Sequence, residues 1–241
     1  MKDSLIIVPT YNEIENIEPL LRALFKCYEN LSILVVDDNS PDQTANKVSG
    51  LQKEFSNQLF LIKRLEKNGL GSAYIEGFKW GLKADYKYIF EMDADFSHHP
   101  KAVIELYRSC TEQGADLSVG SRYKKGINVV NWPLSRILLS YLASWYVRLL
   151  TGMPVKDPTA GFVCYKREVL QSLNLDRIKF VGYAFQIEMK FKAYHKKFKI
   201  KEIPIIFTDR VRGTSKLTKS IIWEAIYGVI VMRVQQLLGK L

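Results

Sequence analysis

The sequence predicts an α/β fold: a doubly wound, mostly parallel sheet with helices on both faces. Three observations carry that reading. Short β-branched runs and helical patterns alternate through the first half of the chain, and strand–helix alternation of this kind builds parallel sheets. Most of the strand candidates run straight into a polar cluster, as expected where ligands sit outside the carboxyl ends of parallel strands. The 241 residues are 47% hydrophobic and 25% charged, which suits one folded domain with a sizeable core and excludes disordered or collagen-like chains.

Residues 4–8 form the first β-branched run and read as a buried strand. Asn12, with Glu15 three positions on, reads as the N-cap of a helix whose Ile14, Ile17, Leu20, Leu21 and Leu24 follow at helical spacing. Residues 33–36 are the second strand. Ser40-Pro41-Asp42-Gln43 then reads as cap, first-turn proline and capping box for a second helix. Residues 59–62 give the third strand, 71–82 a helix, 86–92 the fourth strand, 101–112 a helix and 116–119 the fifth strand.

The second half is less regular. Residues 134–150 read as a helix apolar nearly all round, 157–162 as a loop, and 200–207 as a strand interrupted by Pro204. A polar, basic loop follows at 208–215. The last helix spans 221–238, with Ile222, Ile226, Val229, Ile230, Val234 and Leu237 tracing one apolar stripe. No run approaches the ~20 apolar residues of a spanning helix, and residues 1–9 are too short for the apolar core of a signal peptide.

The net charge of +10 favours anionic partners: nucleic acid, anionic lipid or phosphorylated small molecules. Cys27, Cys110 and Cys164 have no metal or redox spacing and read as thiols of a reducing compartment.

Asp93 and Asp95 stand two apart just past a strand, so in extended backbone they point the same way. Two hard carboxylates suit Mg2+ or Mn2+ shared with substrate phosphates; a solvated turn is the plain alternative. Asp37 and Asp38 end another strand, where a carboxylate can accept from a nucleotide base or ribose, or else cap the next helix. Glu13 lies at a helix start, where the dipole already favours a carboxylate. Arg122, Arg210, Arg212 and Lys216 are the cations suited to phosphate, the last three on a glycine-containing loop that can close over a diphosphate. His98 and His99 are adjacent and unsuited to sharing one zinc, and His195 reads as a surface residue. Gly69-Leu70-Gly71-Ser72-Ala73 lacks a full dinucleotide fingerprint and reads as a tight helix entry near a ligand.

These segments together resemble glycosyltransferase family two, and within it the polyprenol- and dolichol-phosphate mannose synthases. The blocks, in order, are Pro9-Thr10-Tyr11-Asn12-Glu13, Val35-Val36-Asp37-Asp38-Asn39-Ser40-Pro41-Asp42, Gly69-Leu70-Gly71-Ser72-Ala73-Tyr74, Asp93-Ala94-Asp95-Phe96-Ser97-His98-His99-Pro100, Gly120-Ser121-Arg122-Tyr123 and Asp209-Arg210-Val211-Arg212-Gly213-Thr214-Ser215-Lys216. The resemblance covers nearly the whole chain and implies a GT-A fold with inverting transfer of mannose from GDP-mannose to a polyprenyl (dolichyl-type) phosphate. Carried over by position, Pro9, Tyr11, Glu13, Val36 and Asp38 hold the nucleotide, and Asp93, Ala94 and Asp95 hold the metal, Mg2+ or Mn2+, and the diphosphate. Arg122, Arg210 and Lys216 bind phosphates of donor or acceptor. Ser97 departs from relatives that have Gln there, which puts a third metal ligand in doubt. Some relatives also carry C-terminal transmembrane helices that this sequence lacks.

The resemblance divides residues 1–241, one domain, into a nucleotide-sugar half (1–125), an acceptor half (126–216) and a C-terminal interfacial helix (217–241). It implies a peripheral protein on the cytoplasmic face of a membrane, with a small membrane protein as a further candidate partner. Residues 134–150, with Tyr141, Trp145 and Tyr146, and the last helix suit a headgroup boundary. Rival readings are a related transferase using a UDP-sugar such as UDP-glucose, and a catalytically silent nucleotide-sugar-binding protein. Nothing in the sequence matches a nucleic-acid recognition motif.

Overall fold

The computed structural model describes residues 1–210 and 219–239. Its elements, in chain order, begin with β1 (Ser4–Thr10), α1 (Ile14–Cys27), β2 (Ser32–Asp37), α2 (Thr44–Leu51), β3 (Leu59–Lys63), α3 (Leu70–Lys83), β4 (Tyr88–Glu91), α4 (Val103–Thr111) and β5 (Leu117–Ser121). They continue with β6 (Val129–Val130), α5 (Leu134–Thr151), β7 (Val163–Lys166), α6 (Arg167–Ser172), α7 (Tyr183–His195), β8 (Ile200–Pro204), β9 (Phe207–Thr208) and α8 (Lys219–Leu237).

The main sheet runs β3-β2-β1-β4-β7-β5-β8. Every pairing is parallel except those of β7, which lies antiparallel to both β4 and β5. A second, two-stranded sheet pairs β6 with β9. The mostly parallel α/β reading holds, with β7 and α7 as elements the sequence pattern did not announce.

Strand alternation explains why helices cover both faces. On β1, Ile6 and Val8 point to one side, where α1 (Ile17, Leu20, Leu21, Leu24) and α4 (Val103, Leu106) pack. Leu5 and Ile7 point to the other, against α3 (Ala73, Tyr74, Phe78) and α7 (Phe185, Met189). All these side chains are essentially inaccessible, and each Val, Leu, Ile, Phe or Met among them contributes on the order of 2 kcal/mol relative to exposure. Gly71 lets α3 reach α7: a Cβ there would lie 2.8 Å from the Phe185 ring and the Phe180 carbonyl. A third cluster joins α5, α7 and α8 through Val147, Ile187, Phe191, Val229 and Met232.

Two predicted caps are corrected. Asn12 has a left-handed φ of 56°, and Glu13 is the residue that precedes α1. The N–H of Ile14 donates instead to Asp42 Oδ2, at 3.0 Å. Ser40 does not cap a helix: its hydroxyl donates to Asp37, and α2 begins only at Thr44, whose N–H and hydroxyl both donate to Asp42. Both departures arise because these residues tie the β1 and β2 loops to each other rather than to their own helices. The predicted 101–112 helix opens as a 3-10 turn at Pro100–Ala102. His195 is half-buried, its ring edge-on to Phe191.

Candidate functional site

The carboxyl ends of β1, β2 and β4 bring three of the predicted clusters to one edge of the sheet. Parallel register places Thr10 opposite Asp37. Asp37 is consumed there: its carboxylate accepts from the Thr10 hydroxyl (2.8 Å), the Ser40 hydroxyl (2.6 Å) and the Ser40 N–H (2.9 Å). Asp37 therefore shapes the loop, and Asp38 faces the site.

Asp38 is held by a residue that no sequence motif singled out. Arg64, just past β3, donates from Nη1 to Asp38 Oδ1 at 2.6 Å and from Nη2 to the Ser72 hydroxyl at 2.7 Å, and its Nε lies 3.2 Å from Glu76. Burial raises the Asp38 pKa while Arg64 opposes the rise. Tyr11 follows β1, with the Lys67 ammonium 4.0 Å from its ring centroid. Glu13 is buried, and its carboxylate accepts from Asn16 at 2.9 Å. Pro9 is half-buried at the end of β1. The Val36 side chain is wholly in the core, so any contact it makes with a ligand is through its backbone.

Asp93-Ala94-Asp95 follows β4. Ala94 is buried, and Asp95 is 6% exposed. Asp95 Oδ1 accepts from the Ser97 N–H at 3.0 Å, and Oδ2 lies 3.0 Å from Arg210 Nη2. Burial and the neighbouring Asp95 carboxylate push Asp93 up to about 7, against the pull of Arg210. Two crowded carboxylates, one resisting its charge, form a donor set suited to a hard dication. Among the described residues no third His, Cys, Asp or Glu completes a cage. That fits Mg2+ or Mn2+, which take few protein ligands and fill the rest with water and phosphate.

The small sheet delivers Arg210. Asp209 donates its N–H to the Val130 carbonyl (3.1 Å), Thr208 donates its own to Ser97 (3.3 Å), and Phe207 bridges His98. Arg136 of α5 closes the arrangement, 2.8 Å from Asp209 and stacked over Trp132 at 4.0 Å. Lys216 and Arg212 lie outside the described residues.

Arg122 is placed differently from Arg210. It is buried and chelated by Asp157, with Nε to Oδ2 at 2.7 Å and Nη2 to Oδ1 at 2.5 Å, and Nη2 also donates to Thr159 at 2.8 Å. Although burial opposes its charge, Asp157 pushes its pKa up. Its guanidinium thus anchors the 157–162 loop. No sequence signal pairs Arg122 with Asp157, since the two meet only through the fold.

The surroundings of His98 favour its neutral form. Its ring stacks on Phe162 at 4.9 Å, and burial drives its pKa down to about 4 against the pull of Asp95, with Arg122 adding to the fall. A depressed folded pKa gives stability that is present above about 6.5 and lost as pH falls through about 4. We expect wild type to lose about 2–3 kcal/mol more than His98→Phe between pH 7 and pH 4.5 in urea unfolding, and parallel profiles would refute this. His99 acts only locally, where its Nδ1 accepts from the Lys101 N–H and starts the 3-10 turn.

Residues 5–173 match the sequence profile of glycosyl transferase family 2. A polyprenol monophosphomannose synthase of Mycolicibacterium smegmatis is 42% identical over 226 residues, covering 94% of this chain and 85% of that protein. An undecaprenyl-phosphate mannosyltransferase of Micrococcus luteus is 40% identical over 225 residues, covering 93% and 91%. In structure, the chain is similar to a mannosyltransferase from Pyrobaculum calidifontis solved with GDP-Man and Mn2+. That TM-score is 0.62 at 16% identity, over 98% of this chain and 64% of the other.

Proposed function

The chain belongs to glycosyl transferase family 2, and from that premise we propose that it moves mannose from GDP-mannose to a polyprenyl phosphate at a membrane surface. The observation that carries the proposal is the Asp93/Asp95 pair at the end of β4 with Arg210 drawn onto it. Relatives at 40–42% identity that are named as polyprenyl-phosphate mannosyltransferases support the choice of donor and acceptor.

The chemistry needs no strong general base. A phosphate acceptor is already anionic near neutral pH, so the harder requirement is to stabilise the departing diphosphate and offset repulsion between two anions. Asp93 and Asp95 would hold Mg2+ or Mn2+, which supplies positive charge to the leaving diphosphate. Arg210, whose guanidinium now neutralises Asp95, reaches the same place and offers a planar fork to phosphate oxygens. Tyr11, Glu13 and Asp38 bind the nucleoside, with Pro9, Val36 and Ala94 shaping the slot. Arg122, fixed by Asp157, holds the wall on the acceptor side. Lys216 completes the cationic set in this reading.

The membrane part rests on α5 and α8, which pack side by side with the Tyr146 hydroxyl donating to the Ile226 carbonyl at 3.0 Å. Both present large apolar side chains outward, among them Leu138, Leu142 and Trp145 on α5 and Trp223, Tyr227 and Ile230 on α8. The predicted stripe on the last helix therefore faces largely away from the core: Val229 is buried, while Ile230, Val234 and Leu237 are exposed. No described helix is long and apolar enough to cross a membrane. Helices of this kind lie in the interface plane, and the net charge of +10 favours an anionic, cytoplasmic leaflet.

The direct experiment is transfer by purified protein with Mg2+ and a polyprenyl phosphate, comparing GDP-mannose, UDP-glucose and UDP-N-acetylglucosamine. Lipid-linked product from GDP-mannose alone is expected. Product only from a UDP-sugar would keep the chemistry and overturn the donor.

A further inference from the structure

Beneath Asp93 runs a chain of buried polar groups that the transfer chemistry does not use directly. Glu91 and Lys190 are each 0% exposed, yet they form no direct ion pair. The amide of Gln186, itself buried, stands between them. Its Nε2 donates to Glu91 Oε2 at 2.5 Å, and its Oε1 accepts from Lys190 Nζ at 3.1 Å. The remaining Lys190 donors go to the Ala160 carbonyl (2.7 Å) and the Gln186 carbonyl (3.0 Å). The other Glu91 oxygen accepts from the Tyr165 hydroxyl at 2.9 Å. Every proton of the ammonium is used, which is the condition for burying such a network at all.

Packing does not require these charges. Taking a carboxylate and an ammonium out of water costs several kcal/mol each, and apolar replacements of a whole buried pair are often neutral or stabilising. What the network provides is geometry. It links four pieces: β4 just before Asp93, β7 through Tyr165, α7 through Gln186 and Lys190, and the 157–162 loop through Ala160. The next residue in that loop, Gly161, faces both sides of the junction. A Cβ built there would lie 3.6 Å from Gln186 Nε2 and 4.0 Å from both Asp93 carboxylate oxygens. The same loop carries Asp157 and Thr159, which hold Arg122.

We propose that the chain Lys190–Gln186–Glu91–Tyr165 sets Asp93 in register with the 157–162 loop for cation binding, so that Lys190, Gln186, Glu91 and Tyr165 are positioning residues of the transfer reaction. The inference rests on the metal-assisted reading given above. It assigns no proton transfer to these groups, which act by fixing distances.

Two variants test it. Tyr165→Phe deletes one hydroxyl without changing the packing. Glu91→Gln/Lys190→Met removes both charges together, so neither is left buried alone. Mn2+ affinity of the GDP-saturated protein, read by EPR of the free ion, needs no turnover. Direct hydrogen-bond partners of metal-ligating side chains typically matter by 10–100-fold, and this network reaches Asp93 only through the backbone and Gly161, so the effect is expected at the low end: about tenfold weaker Mn2+ binding in the double variant and about threefold weaker in Tyr165→Phe. The kcat should fall in parallel, while the metal-free Kd for GDP and the melting temperature stay near wild type, a split that a merely structural role would not produce.

Wild-type Mn2+ affinity in both variants overturns the inference, as does wild-type affinity in Tyr165→Phe if the double variant does not fold. Wild-type protein that binds Mn2+ but transfers nothing from GDP-mannose sinks the functional reading alone.

Discussion

Asp95→Ala is expected to lower transfer from GDP-mannose by about 10³-fold, the scale on which charge stabilisation at a reacting centre is lost when a principal group is removed. Asp95 is the most connected member of the pair. One oxygen is fixed by the Ser97 N–H and the other faces Arg210, so the carboxylate is held in place before any ligand arrives. Alanine removes a metal ligand and leaves Arg210 without this anion. The fold should survive, because Asp95 sits in a loop past the end of β4 and contributes nothing to the apolar clusters on either face.

Asp95→Asn sharpens the test. The amide oxygen can still accept from Ser97, so the loop keeps its shape while the negative charge is lost. Both variants should then show the same large loss in kcat with little change in metal-free GDP affinity, since Tyr11 and Asp38 lie at the ends of other strands. Activity in Asp95→Asn within about tenfold of wild type would mean that the charge is not needed and would move the metal to Asp93 alone.

The parts of the fold that could be read in the sequence are those where one physical signal dominates. β1 and β2 are β-branched runs buried on both faces, and the polar residues that follow them mark where the sheet ends and the site begins. α7 was invisible for the opposite reason. Gln186, Glu188 and Lys190 lie among its buried residues, so no apolar stripe of helical period survives. The polarity that hid the helix is the polarity that builds the network under Asp93. β7, only four residues long and flanked by a loop and a short helix, offers no periodicity to find.

At the site, single residues suited to phosphate or metal could be named from their type and place, but their partners could not. Arg64 and Asp38 are 26 positions apart, and Arg122 and Asp157 are 35 apart. Arg64 did carry a positional clue, since it follows β3 directly, as Asp38 follows β2, and the last residues of the two strands, Lys63 and Asp37, are paired. For Arg122 the partner is Asp157, which holds the guanidinium and ties the 157–162 loop to the end of β5.

Trp145→Glu/Trp223→Glu is expected to abolish co-sedimentation with anionic liposomes while leaving GDP binding intact. The two rings are 56% and 68% exposed on packed helices, with apolar neighbours on each side. Inserting a half-exposed indole into the interface removes roughly 100 Å² of apolar surface from water, or about 2 kcal/mol per ring. Losing both and adding two negative charges against an anionic leaflet should weaken partition by about 10³-fold or more. Activity provides the second reading. On a water-soluble short-chain polyprenyl phosphate the variant should turn over near the wild-type rate, because neither ring touches Asp93, Asp95 or Arg210, whereas on acceptor embedded in vesicles it should fail. Equal loss on both acceptors would place these helices in the chemistry itself. Wild-type protein that ignores liposomes but sediments as a dimer, with the variant monomeric, would make this face a contact between copies of the chain.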